Sequence, residues 1–409
     1  MKRIFALFLS ITITALAQDA YEPAPVLKAS EILKPEVLAG PNYRVLENVT
    51  TAYGRNRYTL ETPWGYMSAD GDPLLMQRVA EVRAMAEMEN ISGTEEFKTA
   101  LKNAAKTPLN AAKEFIDDPG EAIKKTGKGL WKFANRTGES AKNLINGRKR
   151  GQGEDNAGKD LLGFSKAKRE LALSLGADPY STNDVFQERL EQIAWARTAG
   201  GGAFKIATLP IGGGVGMVLT AADVTQNFHQ ALRDLSPADL RLANKKALME
   251  IGVEAKSADR FLANPAFSPT NQTAFVAALR SLKGVKNRTG FVALATKAAT
   301  EEGDAIFLSH TAQLLAALHN GQDPLVRIVT IGDLPAAMTA DGRLVLALQW
   351  DTAFWSEPAE GIIEAAIGAK LGQTGMVVAL TGSITPRAKA ELEKRKVALV
   401  THILDGPQR

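Results

Sequence analysis

The stretch ARTAGGGAFKIATLPIGGGVGMVLTAADV, residues 196–224, divides the chain and decides how the rest is read. It is the longest weakly charged run after the N-terminal segment, and the richest in glycine. Three readings suit it: a phosphate-binding loop, a membrane-inserting segment, or a close-packed joint between two folded parts. Spacing disposes of the first. A dinucleotide fingerprint needs G-x-G-x-x-G between a strand and a helix. Counted from Gly212 the third glycine falls on Met217, and from Gly214 on Leu219; no Gly-Lys-Ser/Thr is present either. The second reading rests on residues 206–222, which carry no charge between Lys205 and Asp223. Pro210 interrupts that run, and its glycine, alanine and threonine content makes transfer to lipid weak. Conditional insertion stays as an alternative. The preferred reading is a joint in which glycine permits close backbone approach.

Before the stretch the chain opens with Lys2 and Arg3, an apolar run over 4–15 and the small-residue site Ala15-Leu16-Ala17. This pattern predicts a secretory signal peptide over 1–17. The chain would then be exported, to the periplasm or outside the cell. It contains no cysteine, so thiol nucleophiles, thiolate zinc sites and disulfides are excluded. A chain of 409 residues is long enough to hold itself together with ordinary hydrophobic cores.

Residues 18–40, with Pro23, Pro25 and Pro35, read as an extended lead-in. Short runs at 43–46, 57–60 and 64–67 are rich in strand formers and separated by turn residues such as Gly54 and Asn56. They predict a small antiparallel meander. A helix follows, with Asp72 as cap, Pro73 at its start and Leu75, Val79, Val82 and Ala86 as its apolar stripe. Glu81, Arg83 and Glu87 lie off that stripe. Meander and helix make a unit over 41–93.

Residues 94–158 form a basic, amphipathic region ending in the polar linker NGRKRGQGEDNAG. Between Lys98 and Arg150, 13 Lys/Arg stand against 5 Asp/Glu. Lys124, Lys125, Lys128, Lys132 and Arg136 lie among Ile123, Leu130, Trp131 and Phe133. Such a segment suits an anionic membrane surface or envelope polymer, or simply makes a solvated face over a core. A protein partner also fits; export disfavours nucleic acid.

A helical domain is predicted over 159–322. Asp184 and Gln187 have capping-box spacing. Ser236-Pro237 and Ser268-Pro269 each open a helix, and Gly252 and Gly284 close them 16 residues after each serine. Over 323–409 the pattern becomes ββαβαβ. Strands at 326–331 and 344–348 are joined through the Asp341-Gly342 turn, and further strands lie at 376–380 and 397–404. The fold class is therefore α+β, predominantly helical, with an N-terminal meander, a central helical array and a C-terminal α/β unit.

Chemistry has few places to sit. There are four histidines, and no H-E-x-x-H. His310 and His319 are nine apart and fall on opposed faces of a helix. No metal and no cofactor are expected. G-x-S-x-G is absent. Open α/β sheets place ligands beyond the carboxyl ends of their strands. Asp333, Asp351 and Ser383 hold such positions and are the candidate catalytic residues, although strand termination by the two aspartates and helix capping by Thr385 account for these residue types by themselves and are preferred. The leading expectation is an exported, non-enzymatic envelope protein acting as a binding or scaffold module through its basic surface. An exported hydrolase or nuclease at those strand ends is the alternative.

Overall fold

The computed structural model describes residues 20–104, 164–201, 208–209, 222–321 and 324–409. Over these the protein is α+β and mainly helical, with one antiparallel sheet, one mixed sheet and a two-stranded parallel pair.

The antiparallel sheet contains β1 (Val26–Lys28), β2 (Ala39–Gly40), β3 (Tyr43–Val45), β4 (Asn48–Ala52), β5 (Arg55–Thr62) and β6 (Gly65–Asp70). Its middle is β5, which pairs with β3, β4 and β6. Tyr53 and Gly54, both at positive φ, turn β4 into β5, as a two-residue hairpin requires. Asn56 is not a turn residue. It lies inside β5 and is fully buried. The expected lead-in is also folded: from residue 20 it supplies β1, β2 and two single-turn helices, α1 (Ala29–Ile32) and α2 (Pro35–Leu38). Pro35 takes the first position of α2, where its missing N–H costs nothing.

Helix α3 (Asp72–Ser92) covers the sheet with Leu75, Val79, Val82, Met85 and Met88. Its N-cap is Gly71 at φ 95°, so Asp72 stands one place inside and its side chain turns inward. Glu81 also departs from the sequence reading: it is fully buried. Arg78 reaches it at 2.8 and 2.9 Å, Ser181 at 2.5 Å and Asn183 at 2.7 Å. That network satisfies a carboxylate that lies off the apolar stripe and is nonetheless buried. Helices α4 (Glu95–Ala104), α5 (Phe164–Ser174) and α6 (Asp184–Thr198) complete the same core through Phe97, Phe164, Phe186 and Leu190. Asn183 rather than Asp184 caps α6, accepting from the Phe186 N–H. Gln187 instead holds the carbonyls of Pro179 and Ser181.

A second body begins with α7 (Ala222–Asp234), α8 (Pro237–Glu250), α9 (Ala255–Leu262), α10 (Pro269–Ser281), α11 (Arg288–Ala298) and α12 (Glu302–Asn320). Ser236 and Ser268 cap α8 and α10 as read, each followed by proline. Gly252 and Gly284 take positive φ beyond the helix ends. Phe261, Phe267, Phe275 and Phe291 stack at 4.9–6.0 Å between centroids and form the middle of this core.

The mixed sheet runs β7 (Leu325–Ile331), β8 (Leu334–Thr339), β9 (Arg343–Leu348), β11 (Gly375–Leu380) and β13 (Ala398–Val400), in the spatial order β13-β11-β9-β8-β7. The extra strand β8 fills what the sequence read as one long hairpin, so the order is βββαβαβ. Its residues, Leu-Pro-Ala-Ala-Met-Thr, have little strand propensity; pairing with neighbours on both sides holds them in place. One face packs on the helical array through Ile328, Val345, Val377 and Ala379. The other packs on α13 (Glu357–Gly368) and α14 (Pro386–Lys394) through Leu346, Val378, Ile363 and Leu392. Covered on both faces, β9 and β11 are nearly all apolar, as such strands must be. The helical array and the α/β unit thus share a core, whereas α5 and α6 belong to the N-terminal one.

Of residues 196–224 the structure describes 196–201, 208–209 and 222–224. A Cβ on Gly200 would lie 1.9 Å from the Ala100 carbonyl oxygen. The end of α6 therefore meets the backbone of α4 at a distance only glycine allows. Most of 206–222 lies outside the described residues, as do the segment 1–17 and residues 105–158.

Candidate functional site

Two short strands, β10 (Thr352–Ala353) and β12 (Ser383–Ile384), pair in parallel just past the carboxyl ends of β9 and β11. This brings Ser383 against Asp351, but only through the backbone: Ser383 N–H and Oγ both donate to the Asp351 carbonyl, at 2.9 and 3.3 Å. Gly382 makes the approach possible, since a Cβ there would lie 2.1 Å from that carbonyl. Asp333 stands apart in the β7–β8 turn. It is 74% exposed and pairs with Lys297 at 3.2 Å, while Asp351 is fully buried. The three candidates do not converge on one concave site.

What surrounds the Asp351 side chain is a polar centre joining the two bodies. Its Oδ2 accepts from the Asn56 N–H at 2.8 Å, and its Oδ1 from Gln349 at 2.9 Å. Asp351 and Thr352 N–H donate to the Gly54 carbonyl, so the tip of the β4–β5 hairpin is seated on the strand ends. Asp72 faces the same centre. It accepts from the Tyr58 hydroxyl at 2.6 Å and from Gln408 at 2.9 Å. Gln408 also donates to the Asp351 carbonyl at 2.8 Å. Asn56 links Tyr58 at 3.0 Å to Thr51 at 2.9 Å.

Burial dominates the electrostatics. It pushes the Asp72 carboxyl up to about 6, against the bonds from Tyr58 and Gln408. Asp351 is raised well above the ordinary carboxylate range, first by burial and then by the charge of Asp72. The Tyr58 hydroxyl is raised well above its ordinary value by burial, and then by the charges of Asp72 and Asp351. The Asp351 carboxyl closes on protein donors and works as a structural joint.

Asp72 differs because it borders a cleft of about 240 Å³. Gln349 and Thr381, at the strand ends, line this cleft together with His310, Met76 and Arg83. A carboxyl there can accept from a small polar ligand. The strand-end rule points to the neighbourhood of this cleft but does not name Asp72. Asp72 read as a cap; Asn56, Tyr58, Gln349 and Gln408 gave no signal, because their role depends on partners up to 336 residues away.

Among the described residues no group of three His, Asp or Glu side chains is placed to hold a metal. Among them, too, no helix is long and apolar enough to cross a membrane. Lys124, Lys125, Lys128, Lys132 and Arg136 lie outside the described residues. At the start of the basic region, α4 buries Phe97, Ala100 and Ala104 and exposes Lys98 and Lys102. Comparison with protein-family models, with curated proteins and with solved structures finds no match.

Proposed function

We propose that this chain is an exported, non-enzymatic binding or scaffold module of the cell envelope, and that its basic segment contacts an anionic partner. The observation that carries the reading is the local charge: 13 Lys/Arg against 5 Asp/Glu between Lys98 and Arg150, in a chain whose total is only +4. Each cation near an anionic surface contributes on the order of 1 kcal/mol and is screened by salt. Exposed Lys102 of α4 supports it by presenting part of that charge to solvent, while Lys98 pairs with Glu95 at 2.7 Å. Against hydrolysis, the strand-end residues have no common site, and Asp351 is spent on structure.

The test is co-sedimentation of the full chain with vesicles containing phosphatidylserine, compared with phosphatidylcholine alone. Binding is expected to the first only, and to fall steeply with added salt. Changing Lys124, Lys125, Lys128 and Lys132 together to Gln should abolish it. A chain that stays in the supernatant at low salt overturns the reading.

A further inference from the structure

We infer that the groove between α7, α8 and α10 is a binding site for a single-chain anionic amphiphile, with the chain in the groove and the head group at Arg280 and Lys283. The groove is open to solvent on one side and offers about 530 Å³, within the range of about 300–1,000 Å³ typical of small-ligand sites. Phe228, Leu240 and Val276 form its apolar floor. The walls are thin because Ala231, Ala243 and Ala277 stand where larger side chains would close the gap. An aliphatic chain gains from leaving water there, at about 25 cal/mol per Å² buried.

Charge selects the head group. Among the described residues no carboxylate lines the groove, while Arg280 and Lys283 do. Arg280 shares its charge with Glu250 only across 3.6 Å, and both side chains are about half exposed, so that pair is weak. Lys283 has no ion pair among the described residues. The carbonyls at the end of α10 bring about half a negative charge, which two full cations outweigh. One polar side chain within the groove is already paired. Asn244 is 5% exposed and donates to Thr273 at 3.0 Å.

The cations of the lining favour a monoacyl anion as the occupant; a neutral lipid is the alternative that competition by hexadecanol tests. The experiment titrates the full chain with a fluorescent undecanoate carrying its fluorophore at the far end, below its micelle concentration, and then displaces it with hexadecanoate. One saturable site per chain is expected, with hexadecanol a poor competitor. Arg280→Gln with Lys283→Gln should weaken the carboxylate by about tenfold or more, which is about 1.4 kcal/mol. Ala243→Phe, at an exposed position, should block the groove. The four-lysine Gln variant of the basic segment should bind like the parent, which separates this site from that surface. No saturable binding by the parent overturns the inference. So does equal competition by hexadecanol, or undiminished binding in both the charge and the Ala243→Phe variants. If Ala243→Phe unfolds, the surface charge variant decides alone.

Discussion

Asp178 shows what a single buried carboxyl does to this protein. It sits in the turn between α5 and α6, accepting from the Thr270 hydroxyl at 2.6 Å and from the Tyr180 N–H at 2.9 Å. Burial pushes it from 3.8 up to about 6, against both hydrogen bonds, with the charges of Glu81 and Glu302 adding to the rise. Its folded value thus lies above its unfolded one. Stability from this group is complete below the unfolded value and is lost as pH rises through about 6. Asp72 has the same sign. Asp178→Asn keeps the accepting oxygen and never ionises. Between about pH 4 and about pH 7.5 its unfolding free energy should fall by less than the parent's, by on the order of 3 kcal/mol. Urea titrations at both pH values check this, and identical pH slopes would show that Asp178 stays accessible to water. In sequence Asp178 reads only as part of a turn, because Thr270 lies 92 positions away.

Helix ends were the most legible elements, because their signals are local. Serine at the cap, proline just inside and glycine just outside satisfy the orphan backbone groups of α8 and α10 without any tertiary contact. Strand β8 was illegible for the opposite reason: only β7 and β9 make Leu-Pro-Ala-Ala-Met-Thr extended. The crossing of α6 on α4 combines both cases. The glycines at 200–202 stop α6, a local signal, whereas the backbone contact of Gly200 with Ala100 comes only from the packing of α4. Gly200→Ala should lower stability by about 1–3 kcal/mol, because the clash is with backbone and cannot be relieved by a rotamer. Gly361→Ala, in α13 with nothing within 4 Å, should instead raise it by about 0.5–1 kcal/mol. A thermal melt of the two variants distinguishes steric from conformational control; equal melting temperatures would sink the close-approach account.

At the scale of the molecule, the two bodies are tied by the chain ends as well as by the hairpin tip. Tyr21 and Glu22 reach α13 and the Trp355 N–H. At the other end, Lys34 and Arg409 exchange backbone hydrogen bonds with Pro407 and Ile32 across the N-terminal body. Gln408 closes the link by bonding Asp72 and the Asp351 carbonyl at once. Gln408→Ala should cost about 1–3 kcal/mol, since it leaves buried acceptors short of a donor. It should also broaden urea unfolding or split it in two as the bodies uncouple, and a single transition with unchanged midpoint and slope would refute the link.

The sequence by itself determined the fold class, the caps and stops of the regular helices, the apolar strands of the mixed sheet and the failure of the glycine-rich stretch as a nucleotide loop. Each of these depends on neighbours within a turn or a strand. Only the tertiary structure decided which helices share a core, that Glu81 is buried, that Asp72 faces a cleft while Asp351 is sealed, and that Asp333 stands apart from both. Those outcomes come from desolvation and long-range hydrogen bonding, whose partners are far apart along the chain. At residues 196–224 the structure reaches only the edges of the stretch. At Gly200 the space left for a side chain is nil because the backbone of α4 fills it, a contact inside the N-terminal core; the glycines at 212–214, on which a joint between two folded parts would turn, lie outside the described residues.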